Sequence, residues 1–300
     1  MAQAALEEAL EAFLFKHKGT YFQTEITSPE AVDALEHMEI RDDDVFIVTY
    51  PKSGTIWTQQ ILNLIYYEEY RNGKLNTDNT TRSPWIEYNY GNTSFDSHPS
   101  PRLFTSHLPY YLMPKDLRLR RGKIIYVYRN PKDTLVSFYH FYKVISRLQY
   151  TIDWETFFDL FVTGRVFPGS WFDHVREWYT HKEDYNILFI TYEEMIKDLK
   201  SSVLKICKFV DIKLDDEVLE KVVEKSTFKT MESDPIASYK NVSKDILNFD
   251  KGSFLRKGTI GDWKNKMTVA QSEQIDEMVK SKLGDLPIKF VWDINDEVHY

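Results

Sequence analysis

The chain has 300 residues, with 38 Lys+Arg against 46 Asp+Glu and a formal charge of −8. Hydrophobic residues at 42% and charged residues at 28% exclude a disordered or low-complexity chain. The acidic balance argues against broad nucleic-acid binding and leaves room for a local cationic pocket. A single domain spanning residues 1–300 is expected, able to bury roughly 75% of its unfolded surface without staples. Cys207 is the only cysteine, which excludes an internal disulfide and a cysteine-based metal site.

The first residues, MAQAALEEALEAFLF, carry acids before any base and read as an amphipathic helix. They lack the basic start and unbroken apolar stretch of a signal peptide. No apolar run approaches the ~20 residues that span a bilayer. A cytoplasmic protein without a membrane partner is therefore expected, and the sequons at Asn79, Asn92 and Asn241 are read as chance.

Asp44–Tyr50 is an apolar, β-rich run that stops at Pro51, and Trp57, Ile61, Leu64 and Ile65 then recur at helical spacing. The pattern predicts strand, short loop, helix. It repeats at Lys123–Tyr128, followed by Asn130 as N-cap, Pro131 at the first helical position and a helix through Tyr142. A third strand, Asn186–Tyr192, leads into Glu193 and Glu194, acids that suit a helix start. Val203, Ile206, Cys207 and Val210 share one helical face, which assigns Cys207 to packing. Strands separated by helices predict an α/β fold: a parallel sheet with helices on both faces. Residues 71–100, with Trp85, Tyr88 and Tyr90, read as a long loop near a pocket, and residues 233–262 as a second.

Three cationic sites follow strands or sit in glycine-bearing loops. In Tyr50-Pro-Lys-Ser-Gly-Thr-Ile-Trp57 a strand turns through Gly54 into a helix, placing Lys52, Ser53 and Thr55 where a helix start offers free N–H groups. That arrangement, P-loop-like without being a Walker motif, suits a phosphate. Arg129, with Ser137 on the next helix, can clamp a second phosphate. Arg256 and Lys257 beside Gly258 form the third site. Taken singly, each also reads as an ordinary turn or surface cation; together they point to a ligand with more than one anionic group. His107, in a short β-like stretch ending at Pro109, is the best acid–base candidate among eight histidines. No histidine–carboxylate spacing points to a metal.

Tyr50–Trp57, Arg129-Asn-Pro-Lys-Asp-Thr-Leu-Val-Ser137 and Arg256-Lys-Gly-Thr-Ile-Gly-Asp-Trp-Lys264 together resemble the signature motifs of the cytosolic sulfotransferases. The resemblance runs from about residue 40 to the end, in the family's order. Phe104–Tyr111 and Lys289–Asp293 look most like the amine sulfotransferase branch. The resemblance implies 3′-phosphoadenosine 5′-phosphosulfate (PAPS) as donor and 3′-phosphoadenosine 5′-phosphate (PAP) as product, with no metal. It implies that Lys52, Ser53, Gly54, Thr55, Ile56 and Trp57 hold the 5′-phosphosulfate. Arg129, Ser137, Arg256, Lys257 and Gly258 would take the 3′-phosphate. Tyr192, Ser226, Phe228, Met231, Phe254 and Leu255 complete the donor positions. His107 would be the catalytic base and Lys52 the cation at the leaving phosphate.

Two departures stand out: Ile56 replaces a second threonine, and Thr105 stands where phenol-specific members have a lysine. Trp85, Tyr88 and Thr105 are the candidate acceptor-pocket residues for a small, aromatic amine, phenol or alcohol. Lys264–Glu273 matches the family's dimer motif, which implies a homodimer; read bare, it is a helix start with Thr268 as N-cap. The competing readings are a small-molecule kinase, disfavoured by the missing Walker lysine, and a nucleotide-binding relative with weak or no turnover.

Overall fold

The computed structural model describes residues 2–74, 77, 79–88, 95–148 and 151–296. Tyr90 and Asn92 of the first expected loop lie outside the described residues. The N-terminal helix α1 (Ala2–Phe13) leads into an antiparallel hairpin of β1 (Leu14–His17) and β2 (Thr20–Gln23), which the sequence reading did not anticipate. Helix α2 (Pro29–Leu35) precedes β3 (Val45–Thr49), and α3 (Thr55–Tyr66) follows it. A short helix α4 (Glu68–Arg71) ends where the first expected loop begins, and another, α5 (Asn79–Arg82), lies within it. Next come β4 (Leu103–Ser106), β5 (Lys123–Tyr128), α6 (Pro131–Val144), α7 (Trp154–Val162) and α8 (Trp171–Thr180). The chain continues through β6 (Ile187–Thr191), α9 (Tyr192–Lys197), α10 (Leu199–Phe209), α11 (Asp216–Lys225) and α12 (Phe228–Ser233) to α13 (Val269–Leu283).

Strands β4, β3, β5 and β6 form one sheet in that order, all parallel. Parallel strands need long crossovers, and helices supply them. Every residue of β3 is buried, and alternation sends its side chains to two different cores. Phe46 and Val48 join Phe104, Ile124 and Tyr126 in a cluster built on α1 and α6–α8. Val45 and Ile47 join Leu103, Ile125, Val127 and Ile190 in a second cluster with α3, α10 and α11. Helices therefore cover both faces. Cys207, Val203 and Ile206 pack in the second cluster, as their helical spacing requires.

Parallel sheets bring all their strand C-termini to one edge, and ligands bind outside that edge. Here the edge collects the loop after β3, His107 after β4, Arg129 after β5 and Tyr192 after β6.

Candidate active site at the carboxyl edge of the sheet

After β3 the chain makes its turn with two left-handed residues, Lys52 at φ 68° and Gly54 at φ 111°. A Cβ at Gly54 would meet the Tyr192 ring at 3.1 Å, so glycine lets the turn lie against the β6 end. Gly54 is also the N-cap of α3, and no side chain caps that helix start. Its first N–H groups are left for a ligand. The Lys52 ammonium lies 3.6 Å from the Phe254 ring centroid and 4.7 Å from that of Phe141. Burial, then repulsion from Arg129 and Arg256, lowers the Lys52 pKa to about 7.

The surroundings of Arg129 are tied together by polar groups from three segments of the chain. Asn130 caps α6, accepting from the Asp133 N–H at 2.8 Å. The Asp133 carboxylate accepts the N–H groups of Gly261 (2.8 Å) and Trp263 (3.0 Å), fastening the late glycine-bearing segment to α6. Buried Glu193 accepts from the Asn130 N–H at 2.9 Å, and burial pushes its carboxyl up to about 7. Arg129 donates to the Thr259 carbonyl at 2.9 Å, and its guanidinium lies 4.1 Å from the Tyr192 ring centroid. Arg256 and Lys257 both pair with Asp262, the one carboxylate among the described cavity-lining residues. Burial works against the charge on Asp262, but hydrogen bonds from Lys257, Arg256 and Asn265 hold its pKa down to about 2. Gly258, at φ 59°, packs so closely on Phe228 that a Cβ would lie 2.2 Å from the ring.

On the other side of the same cavity, His107 Nδ1 lies 2.6 Å from the Thr49 carbonyl. A carbonyl only accepts, so Nδ1 carries the proton and Nε2 is bare. Burial lowers the His107 pKa to about 3, which keeps the ring neutral. Its ring packs 4.5 Å from Trp85, and Trp85 stacks on Tyr88 at 5.1 Å. The strand-like pairing of Trp85 with Thr105 extends the β4 edge and sets those rings against His107.

One cavity of about 830 Å³ gathers both sides. Of the residues singled out from sequence, all but Ser53, Ser226 and Thr105 line it. Ser53 and Ser226 are fully buried behind the lining; Ser226 accepts the Trp57 indole N–H at 2.7 Å through its carbonyl. Thr105, expected at the acceptor pocket, is turned away from it. Strand alternation puts Thr105 on the face of Leu103, toward α3. There its hydroxyl donates to the Ser83 carbonyl and accepts from Gln59, each at 2.8 Å. Ile56 packs with Met231, Ala237 and Tyr239. Four buried polar atoms in this region have no hydrogen-bond partner: Ser53 Oγ, Ser226 Oγ, Arg129 Nε and Arg256 Nε. Orphaned donors around a cationic cradle fit a polyanionic ligand.

The sulfotransferase-domain family model matches residues 42–287. The chain belongs to the sulfotransferase family. This sulfotransferase is 48% identical to the amine sulfotransferase of Oryctolagus cuniculus, over 96% of each chain. It is 40% identical to sulfotransferase 2B1 of Rattus norvegicus, over 97% of this chain and 86% of the relative. Among solved structures, mouse sulfotransferase SULT7A1 complexed with PAP superposes with a TM-score of 0.78 at 34% identity. That match covers 92% of this chain and 97% of the mouse chain. No helix among the described residues is long and apolar enough to cross a membrane.

Sequence reading missed Glu87 and His174, and it missed that Asp133 in its motif and Glu193 at its helix start tie the cavity walls together. Asp133 carried a signal, because an acid three residues after an N-cap asparagine invites a local bond. Ile26, Phe95, His98, Arg147 and Phe167, which also line the cavity, were equally unmarked. Those residues converge only through tertiary packing.

Proposed function

We propose that this sulfotransferase moves a sulfonate from PAPS to the nitrogen or oxygen of a small aromatic acceptor, with His107 as proton acceptor. The observation that supports the reading is the shared cavity: a bare imidazole nitrogen and a cationic cradle, whose Arg129 and Arg256 keep orphaned Nε donors, border one space. The donor supplies an activated sulfonate on a phosphate leaving group. Lys52 and the uncapped start of α3 fit its 5′ end, and Arg129, Arg256 and Lys257 its 3′-phosphate. Gly258 lets the backbone approach where a side chain would intrude.

His107 Nε2 takes the proton that the acceptor loses as it attacks, while Nδ1–H stays on Thr49. A pKa of about 3 belongs to the ligand-free cavity; a neighbouring polyanion favours the imidazolium and strengthens the base. Lys52 sheds its repulsion from Arg129 and Arg256 once those guanidiniums meet phosphate, so it is charged when the leaving phosphate needs it. An amine acceptor, suggested by the 48% identical rabbit enzyme, must reach the sulfonate as its neutral free base. Trp85, Tyr88 and Phe167 offer its ring an apolar wall.

The same reading includes a cytoplasmic enzyme that forms a homodimer through Lys264–Glu273. Val269, at the first turn of α13, is 75% exposed and is the apolar centre of that segment. The test is transfer of labelled sulfonate from PAPS to naphthylamine and naphthol in the parent and in His107→Ala. The variant should lose at least ~100-fold in turnover while still binding PAP. Near-parental turnover would remove His107 from the chemistry.

A further inference from the structure

His107 is gripped by its peptide as well as by its ring. The His107 N–H donates to Glu87 Oε1 at 2.7 Å, and the His107 carbonyl accepts from His174 Nε2 at 3.1 Å. That carbonyl only accepts, so His174 carries its proton on Nε2, and its bare Nδ1 accepts from the Tyr126 hydroxyl at 2.8 Å. One residue on, the Leu108 carbonyl accepts from Trp178 Nε1 at 3.1 Å. Three of these partners are neutral. Glu87 is a carboxylate, 1% exposed, in a segment of aromatic rings. Burying a carboxylate among two backbone N–H groups and one hydroxyl is costly where a neutral oxygen would serve. Its gain is a charge-assisted bond, roughly twice as strong as a neutral one.

We propose that Glu87, in its ionised form, is the positioning residue for His107, holding the peptide so that Nε2 faces the acceptor. The inference rests on His107 as the proton acceptor. From the end of β4, the Ser106 hydroxyl and the His107 N–H face the carboxylate; Lys52 after β3 and His174 on α8 lie beyond His107. Burial pushes the Glu87 carboxyl up to about 7 against the bonds from His107, its own N–H and Ser106. His107 and His174 titrate at about 3 and about 4. Lys52, near 7 in the free protein, moves up when phosphate pairs with it. Glu193, also near 7, lies beneath Asn130 at the end of β5. Replacing Glu87 alone therefore separates its contribution to the pH profile.

The experiment measures sulfonate transfer from saturating PAPS to 2-naphthylamine and 2-naphthol across pH 5.5–9, with PAP affinity alongside. The parent is compared with Glu87→Ala, Glu87→Gln and His107→Ala. The parent kcat should fall as pH drops through about 7. Glu87→Gln keeps an acceptor oxygen without charge, so it should lose that limb and run about 3- to 10-fold below the parent at pH 8. Glu87→Ala should lose about 30-fold or more in kcat, with KM and PAP affinity within threefold. Should Glu87→Ala not fold, the Gln profile decides alone. A Gln profile that superimposes on the parent's overturns the proposal, as does an Ala variant losing PAP affinity in step with kcat. Failure of the underlying reading looks different: His107→Ala would itself stay active.

Discussion

Gly258→Ala tests whether the late glycine-bearing segment is shaped for a ligand. The added Cβ would stand 2.2 Å from Phe228 Cδ2 and 2.5 Å from Cγ. Carbon atoms pack at about 3.5–4.0 Å, so one side must withdraw by more than ~1 Å. Alanine at φ 59° also costs about 1–2 kcal/mol in the left-handed region. Overpacking adds about 1–3 kcal/mol. Gly258 and Phe228 both border the cavity, so the ring's open direction is into the space proposed for the nucleotide. Most of the combined ~2–5 kcal/mol should therefore appear as lost affinity, about 30-fold to 3,000-fold in Kd. Calorimetric titration with PAP, with thermal melts as control, measures it. A Kd within threefold of the parent and an unchanged melting temperature would refute the reasoning.

Lys52, lowered to about 7 by burial and its cationic neighbours, should regain a proton when phosphate pairs with it. PAP binding near pH 8 should take up about one proton, with affinity falling as pH rises above 7 by up to tenfold per unit. Titrations in buffers of different ionisation heat read the uptake, which Lys52→Met should abolish; proton release would contradict the assignment. Thr105→Lys should destabilise the fold rather than retune the acceptor, because it forces a long ammonium into a fully buried position now bonded to Gln59 and the Ser83 carbonyl. A Tm drop of roughly 5–10 °C is expected, and a stable variant with altered acceptor preference would show that position 105 faces the pocket. Val269→Glu should sediment as a monomer and remain folded, since an acid at a helix start is favourable; an unchanged dimer would place the contact elsewhere.

The sheet was legible in the sequence because each strand–loop–helix unit is contiguous. Apolar runs end at Pro51, Asn130 and Tyr192, and helical spacing resumes at once. The gathering of cations in one cavity was legible for the same reason: Lys52, Arg129, Arg256 and Lys257 sit beside the glycines and strand ends that place them. The β1–β2 hairpin was hidden, since Leu14–Gln23 lacks clean alternation and abuts an amphipathic helix. Thr105 shows the limit of position matching, because strand phase decides where a side chain points and only the packed sheet fixes that phase. Glu87 and His174 bond to main-chain atoms of His107 from 20 and 67 residues away. Main-chain partners leave no pattern in side-chain identity.

Asp262 gives the cavity a resident counter-ion. With Arg256 and Lys257 already paired to it, a phosphate arriving at the proposed site would displace or share a carboxylate rather than meet bare charge. A departing phosphate likewise uncovers no isolated cation, because the carboxylate resumes its place. Anion exchange of this kind would make the well a bound nucleotide must climb out of shallower, at the expense of its resting affinity. A cradle that grips several phosphate oxygens can thereby let its used ligand go and stay ready for the next round.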